Sequence, residues 1–209
     1  MIWKEIAFAV IGYLSGSILF CKILPKIFCG VDVEALGEDH NPGTSNTFKH
    51  AGISIGILCL VLELSKGILP VFSAVLVCGY QNLIFPLIMA APALGHAFPV
   101  FFGFRGGKAI AVTFGVLIAL SPAEPFPLVL LCALYLFFSL IFIINPNDKR
   151  TIVTFFCFAA GNLIMFMLGK LRAEIAIGCI GISLIVLYKN RIKELITTKD
   201  IHFAFFRSK

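Results

Sequence analysis

Long apolar runs separated by short polar ones set the pattern of this chain. Nearly uninterrupted hydrophobic stretches occupy residues 3–24, 52–79, 82–94, 108–121, 126–145, 151–169 and 173–188. About 20 residues of α-helix cross the hydrocarbon core of a bilayer, and fewer suffice where a segment is tilted or shielded by protein. Most of the runs reach that length, so the pattern predicts about seven transmembrane helices. The runs 82–94 and 108–121 are short, and they flank "GHAFPVFFGFRGGKAIAVTFG", residues 95–115. Their shortness predicts that this stretch dips into protein, because non-helical backbone at membrane depth persists only where protein or water satisfies its polar groups.

Composition strengthens that picture. Of 209 residues, 59% are hydrophobic and 13% charged, against about 45–50% and about 25% in soluble domains. Mean hydropathy is +1.00. Too few charges are present to cover a water-facing surface. The expected fold class is an all-α integral membrane protein, one multi-span domain over residues 1–209. The opening "MIWKEIAFAVIGYLSGSILFCKILPK" is too long for a signal-peptide core and lacks a small-residue cleavage site, so it reads as a retained first helix. The seven cysteines form no C-x-x-C and lie mostly in apolar runs, where they pack as small hydrophobes. The four histidines show no metal-ligand spacing. No metal and no cofactor are expected.

Charge sets the orientation. Seven spans alternate the connections, and the basic residues then divide unevenly. Lys22, Lys26, Lys49, Arg105, Lys108, Lys149, Arg150, Lys189, Arg191, Lys193, Lys199, Arg207 and Lys209 fall on one side; Lys4, Lys170 and Arg172 fall on the other. Lys and Arg near span ends favour the cytoplasm. The N-terminus is therefore expected outside and the C-terminus inside, with loops 25–51, 95–108, 145–150 and 189–209 sharing the cytoplasmic face. The net charge of +6 follows from this bias and from attraction to anionic membrane lipids; no nucleic-acid partner is needed to explain it.

Three stretches carry polar chemistry. In the first, Gly103, Gly106 and Gly107 allow tight backbone and close approach of N–H groups to an oxyanion. Lys108 opens the next apolar run, where a helix dipole favours an anion, and Arg105 adds a fork-shaped donor. A glycine-lined turn that merely obeys the charge bias accounts for the same residues. The P-loop pattern does not fit, since Ala109 stands where a hydroxyl would bind magnesium. The second stretch, "GVDVEALGEDHNPGTSNTFKHAG", gathers Asn41, Gly43, Thr44, Ser45, Asn46, Lys49 and His50 before a helix. These are helix caps or phosphate ligands, and the loop is longer than a plain connector requires. In the third, Glu63 and Lys66 lie three apart inside a hydrophobic run, on one helical face. Ionisable groups at that depth pair with each other or face a polar interior, so they form either a structural pair or the wall of a site.

These pieces in this order resemble the acyl-phosphate-dependent glycerol-3-phosphate acyltransferases, the PlsY family. The resemblance rests on "GSILF", "NPGTSNTFK", "ELSKGILPV" and above all "GHAFPVFFGFRGGKAIAV". It implies a multi-span enzyme of the bacterial inner membrane with its active face cytoplasmic. The implied reaction moves a fatty acyl group from acyl phosphate to the 1-hydroxyl of glycerol 3-phosphate, giving lysophosphatidic acid. It further implies catalytic roles for Lys108, Ser45 and His96, and phosphate binding by Asn41, Gly43, Asn46, Lys49, Arg105, Gly106 and Gly107. The acceptor's own phosphate is expected to help remove the hydroxyl proton. The chain departs from the family pattern at Glu34, in place of an arginine, and in "GEDHN", which carries one inserted residue. It departs again at Tyr188 and Arg191, in place of a histidine and an asparagine. A relative with another acceptor or none, and a transporter of a phosphorylated small molecule, are the alternatives. The H-x-x-x-x-D acyltransferase pattern is excluded: five residues after His40, His50 and His96 come Ser45, Ile55 and Phe101.

Overall fold

The computed structural model describes residues 2–190 and the backbone of 201–203. Arg191 and the other basic residues of the tail lie outside the described residues. Ten helices follow one another in the described chain: α1 (Ile2–Gly16), α2 (Phe20–Cys29), α3 (Val33–Leu36), α4 (Thr44–Ala51), α5 (Ile53–Cys78), α6 (Phe85–Ala97), α7 (Ile110–Leu120), α8 (Phe126–Leu136), α9 (Asn147–Met167) and α10 (Ala173–Lys189). Among the described residues, four segments are long and apolar enough to cross a membrane: Ile2–Cys29, Ile53–Cys78, Phe85–Phe102 and Asn147–Met167. Ile110–Leu120 and Phe126–Ile141 are shorter apolar helices. Val10, Leu58, Val61, Leu69 and Leu76 stand exposed on the long helices. Water would penalise such faces, whereas lipid accepts them.

Each predicted apolar run contains a helix, and the differences have local causes. The first run is broken at Ser17–Leu19, between α1 and α2. The break leaves polar groups that neighbours take up. Lys66 Nζ donates to Ile18 O at 2.7 Å, and Ser17 Oγ accepts from the Val100 N–H at 3.3 Å. The run 126–145 is helical only through a π-turn at Phe137–Ile141. Its end forms strand β1 (Phe142–Ile144), which pairs antiparallel with β2 (Ile201–Phe203). Helix α9 starts at Asn147, four residues before its apolar run, with Pro146 at its N-cap and Asp148 in its first turn; proline and acidic residues both suit a helix start.

The packing brings α5 onto α7, α1 onto α6, and α10 onto both α6 and α9. Between them lies a core that includes Val71, Phe85, Met89, Val116, Phe155, Phe158, Ile175 and Ile182. Between membrane helices, dispersion and close backbone approach replace the hydrophobic drive. At the α5–α7 crossing a Cβ on Gly115 would overlap the Leu64 carbonyl, and one on Gly67 would overlap that of Val112. This crossing fixes the charged pair of α5 beside the polar stretch that precedes α7.

Candidate active site

The stretch after α6 is an elbow buried on one side. Helix α6 runs on to Ala97, so His96 sits in its last turn. A 3₁₀ turn follows at Val100–Phe102, then Gly103 and Phe104 adopt left-handed backbone at φ 58 and 61. Ala109, at φ 60, is the N-cap of α7. Lys108 therefore lies two residues ahead of the helix and does not open it, as the sequence had suggested.

Gly107 is pressed against α6. Its N–H donates to His96 O at 3.1 Å. A Cβ there would overlap the His96 ring at Nε2 and would lie 3.1 Å from Asn41 Oδ1. A Cβ on Gly106 would overlap the His96 carbonyl. These two glycines act by making room, and the Gly107 amide is already engaged. Arg105 is exposed.

The loop before α4 comes over this elbow. Asn46 Nδ2 donates to Asp39 Oδ1 and to Asn41 O, each at 2.8 Å, and α4 starts at Thr44 with Gly43 as its N-cap. No side chain caps α4; its polar residues knit the loop instead. Lys108 Nζ then joins three segments, reaching Asp39 Oδ2 at 2.6 Å and Asp148 Oδ1 at 2.5 Å. Burial alone would raise the Asp39 carboxyl, but hydrogen bonds from Lys108 and Asn46 outweigh it and hold the group below its ordinary value.

Two cavities meet at Lys108. The first, about 450 Å³, is lined by Asn41, Ser45, Asn46 and Lys49 from the α4 region, with Lys108, Asp39, Asp148 and Arg150. The second, about 300 Å³, is more apolar, with Leu60, Ile110, Ala111 and Phe114 beside Gly43, Ser45, Glu63 and His96. Asn41, Ser45 and Lys108 line both. Of the residues singled out in the sequence, Asn41, Gly43, Ser45, Asn46, Lys49, His96 and Lys108 line this pair of cavities. Arg105, Gly106 and Gly107 line neither.

Glu63 and Lys66 are both a buried pair and the edge of the site. Lys66 Nζ lies 2.8 Å from Glu63 Oε2 and 2.9 Å from His96 Nδ1, and Glu63 Oε2 lies 3.1 Å from the same imidazole nitrogen. Neither Glu63 carboxylate oxygen has a hydrogen-bond partner among the described residues, so its contacts to Lys66 and His96 are ion-pair contacts.

Asp39, Asp148 and Arg150 were not singled out as site residues. Their charge was the available signal, but in sequence Lys108 stands 69 residues from Asp39 and 40 from Asp148. Glu34, at a departure from the family pattern, is turned to Lys22 at 2.5 Å. Tyr188 packs on Phe98 with ring centroids 5.7 Å apart. Among the described residues, no group of three or more His, Cys, Asp and Glu side chains is placed to hold a metal ion.

The chain was compared with known proteins. A family model described as glycerol-3-phosphate acyltransferase matches residues 6–198. Glycerol-3-phosphate acyltransferase 2 of Thermotoga maritima is 39% identical over 114 residues, 54% of this chain and 57% of that protein. The glycerol-3-phosphate acyltransferase of Aquifex aeolicus is 37% identical over 120 residues, 57% of this chain and 62% of that protein. The matched region thus spans somewhat more than half of these relatives' length. Among solved structures, PlsY, an integral membrane glycerol 3-phosphate acyltransferase, is similar in its glycerol 3-phosphate form. The TM-score is 0.72 at 28% identity, covering 90% of this chain and 88% of that one. The lysophosphatidic acid form of PlsY matches with the same TM-score and coverage at 27% identity.

Proposed function

We propose a function from the premise that the chain belongs to the glycerol-3-phosphate acyltransferase family, whose model spans residues 6–198: it moves a fatty acyl group from acyl phosphate to the 1-hydroxyl of glycerol 3-phosphate, giving lysophosphatidic acid for phospholipid synthesis. The observation that carries this reading is the pair of cavities joined at Lys108, one polar, where Lys49, Lys108 and Arg150 stand among amides and the carboxylates of Glu38, Asp39 and Asp148, the other more apolar. Two phosphates and an acyl chain require that division.

An acyl phosphate is already activated, since phosphate is a good leaving group. The protein's task is to hold the reactants in attack geometry and to stabilise developing charge. Lys49, Lys108 and Arg150 supply the cations of the first cavity, with Asn41, Ser45 and Asn46 as hydrogen-bond partners. Gly43 lines the second cavity, and Gly106 and Gly107 let the elbow close on α6. In this reading one membrane domain of seven spans, with the N-terminus outside, turns these loops to the cytoplasm of a bacterial cell. Neither a cofactor nor a metal takes part.

The test is incubation of the purified protein with radiolabelled glycerol 3-phosphate and either acyl phosphate or acyl-CoA. Labelled lysophosphatidic acid is expected with acyl phosphate alone. Efficient turnover on acyl-CoA would overturn the donor assignment, and no product with either donor would overturn the activity.

A further inference from the structure

The elements around His96 fix which of its two ring nitrogens carries the proton. Lys66 Nζ faces three partners: Ile18 O at 2.7 Å, Glu63 Oε2 at 2.8 Å and His96 Nδ1 at 2.9 Å. An ammonium has three donors and no acceptor. Two of its protons are directed at Ile18 O and His96 Nδ1 while its charge pairs with Glu63, and the partner at His96 has to be a lone pair. With a proton on Nδ1 instead, that N–H would confront the ammonium, and one Lys66 donor would be orphaned in a site where burial makes orphans costly. Glu63 Oε2 lies 3.1 Å from Nδ1, but no hydrogen bond joins them, so that closeness does not place the proton on Nδ1.

The proton of neutral His96 accordingly sits on Nε2. That edge of the ring faces the niche left by the missing side chain of Gly107, with Asn41 Oδ1 on its other border. His96 is 95% buried, with a relative exposure of 5%, and it lines the apolar cavity but not the polar one. We infer that His96 is a neutral N–H donor held in the wall of the apolar cavity, beside Asn41, that it receives the carbonyl oxygen of the acyl donor, and that Lys66 is the positioning residue that sets its tautomer.

The inference rests on the acyl-transfer reading above and assigns the reacting groups to places. The donor's phosphate lies with Lys108 in the polar cavity, its acyl chain lies in the apolar one, and the carbonyl between them points at Nε2. As the acceptor oxygen bonds to the acyl carbon, the carbonyl π pair moves onto oxygen, where the N–H stabilises it. The pair then returns, the bond from acyl carbon to phosphate oxygen breaks, and phosphate leaves with those electrons. The hydroxyl proton ends on the departing phosphate. His96 neither gives nor takes a proton. A pre-positioned neutral donor aimed at a developing oxyanion is among the larger single contributions to acyl-transfer catalysis.

Two measurements test this. The first is ¹⁵N NMR of the imidazoles in the purified protein, with His96 identified by the signal lost in His96→Gln. A pyridine-type Nδ1 and a protonated Nε2 are expected, and Lys66→Met should release that preference. The reverse tautomer in the wild type would overturn the assignment. The second is kinetics at matched levels of folded protein. His96→Ala should lower kcat about 100-fold or more, the usual loss for one oxyanion donor, with KM for glycerol 3-phosphate changed less than about threefold. His96→Gln, which keeps an N–H donor but cannot act as a base, should recover a good part of the loss. Wild-type kcat in His96→Ala would sink the role, as would a His96→Gln variant no better than His96→Ala. Absence of acyl transfer by the wild type would overturn the functional reading and the oxyanion role together, while the tautomer would still be judged by the spectrum alone.

Discussion

Lys108 carries its charge between two carboxylates, and that placement decides how its removal should be read. The proposed contact of Lys108 to a substrate phosphate is a charge-assisted hydrogen bond, worth about 1.5–3 kcal/mol. Lys108→Ala should therefore lower kcat/KM roughly tenfold to a hundredfold, measured at limiting glycerol 3-phosphate. Asp148→Asn should act in the opposite sense on binding. Asp148 Oδ1 holds Lys108 at 2.5 Å and competes for it with any incoming phosphate, so its neutralisation should lower KM. An increased KM would mean that the carboxylate positions Lys108 and does not compete for it. Asp39 adds a pH dependence. Its folded pKa is depressed despite burial, through Lys108 and Asn46, so its ionised form contributes stability above the unfolded value of about 4. That contribution disappears as the pH falls through the lower folded pKa. The melting-temperature advantage of the wild type over Asp39→Asn should be present at neutral pH and vanish in acid. An advantage that persists undiminished into strong acid would remove Asp39 from the account.

At the scale of elements, the α5–α7 crossing is the contact on which the site depends. Gly115 meets the Leu64 carbonyl of α5 so closely that a Cβ would overlap it, and backbone on both sides cannot yield cheaply. Gly115→Leu should lose at least the 1–3 kcal/mol typical of overpacking, about the limit a helix pair tolerates. Leu69→Ala, on the same helix but 65% exposed, should be nearly silent. Unfolding in increasing detergent or denaturant separates the two variants, and equal stability would show that this crossing is loose. The helices themselves were legible from run length, because each apolar stretch answers to the bilayer alone. The break at Ser17–Leu19 and the strand β1 were not. Both lie inside apolar runs, and both depend on partners elsewhere: Lys66 and Val100 for the break, β2 for the strand.

For the whole molecule, the cavities draw on the α3–α4 loop, the α6–α7 elbow and the start of α9. Loops that share one site lie on one face of a membrane, and these are loops that the charge bias assigns to the cytoplasm. The proposed seven-span arrangement predicts a reporter fused after Lys209 inside the cell and one inserted near Glu124 outside it. A cytoplasmic signal from the Glu124 insertion would remove that arrangement and would put the short helix α7 and its neighbour α8 on the other side.

Hydrophobic run length by itself determined that this chain is a helical membrane protein. The order of its polar stretches determined the resemblance to the family that the comparisons then supported. These are local properties: a run of apolar residues is expelled from water wherever it occurs, and a short motif keeps its spacing in any context. Only the tertiary structure decided which charges meet. Asp39 and Asp148 converge on Lys108 from 69 and 40 residues away, and Lys66 meets His96 across 30. Glu63 and Lys66 looked like a pair from their spacing alone, but their third member comes from α6, at the end where the elbow turns back. The physical reason is the same in each case: an ion pair in a low-dielectric interior is set by how helices cross, and the crossings are set by where backbones approach closely enough to exclude a side chain.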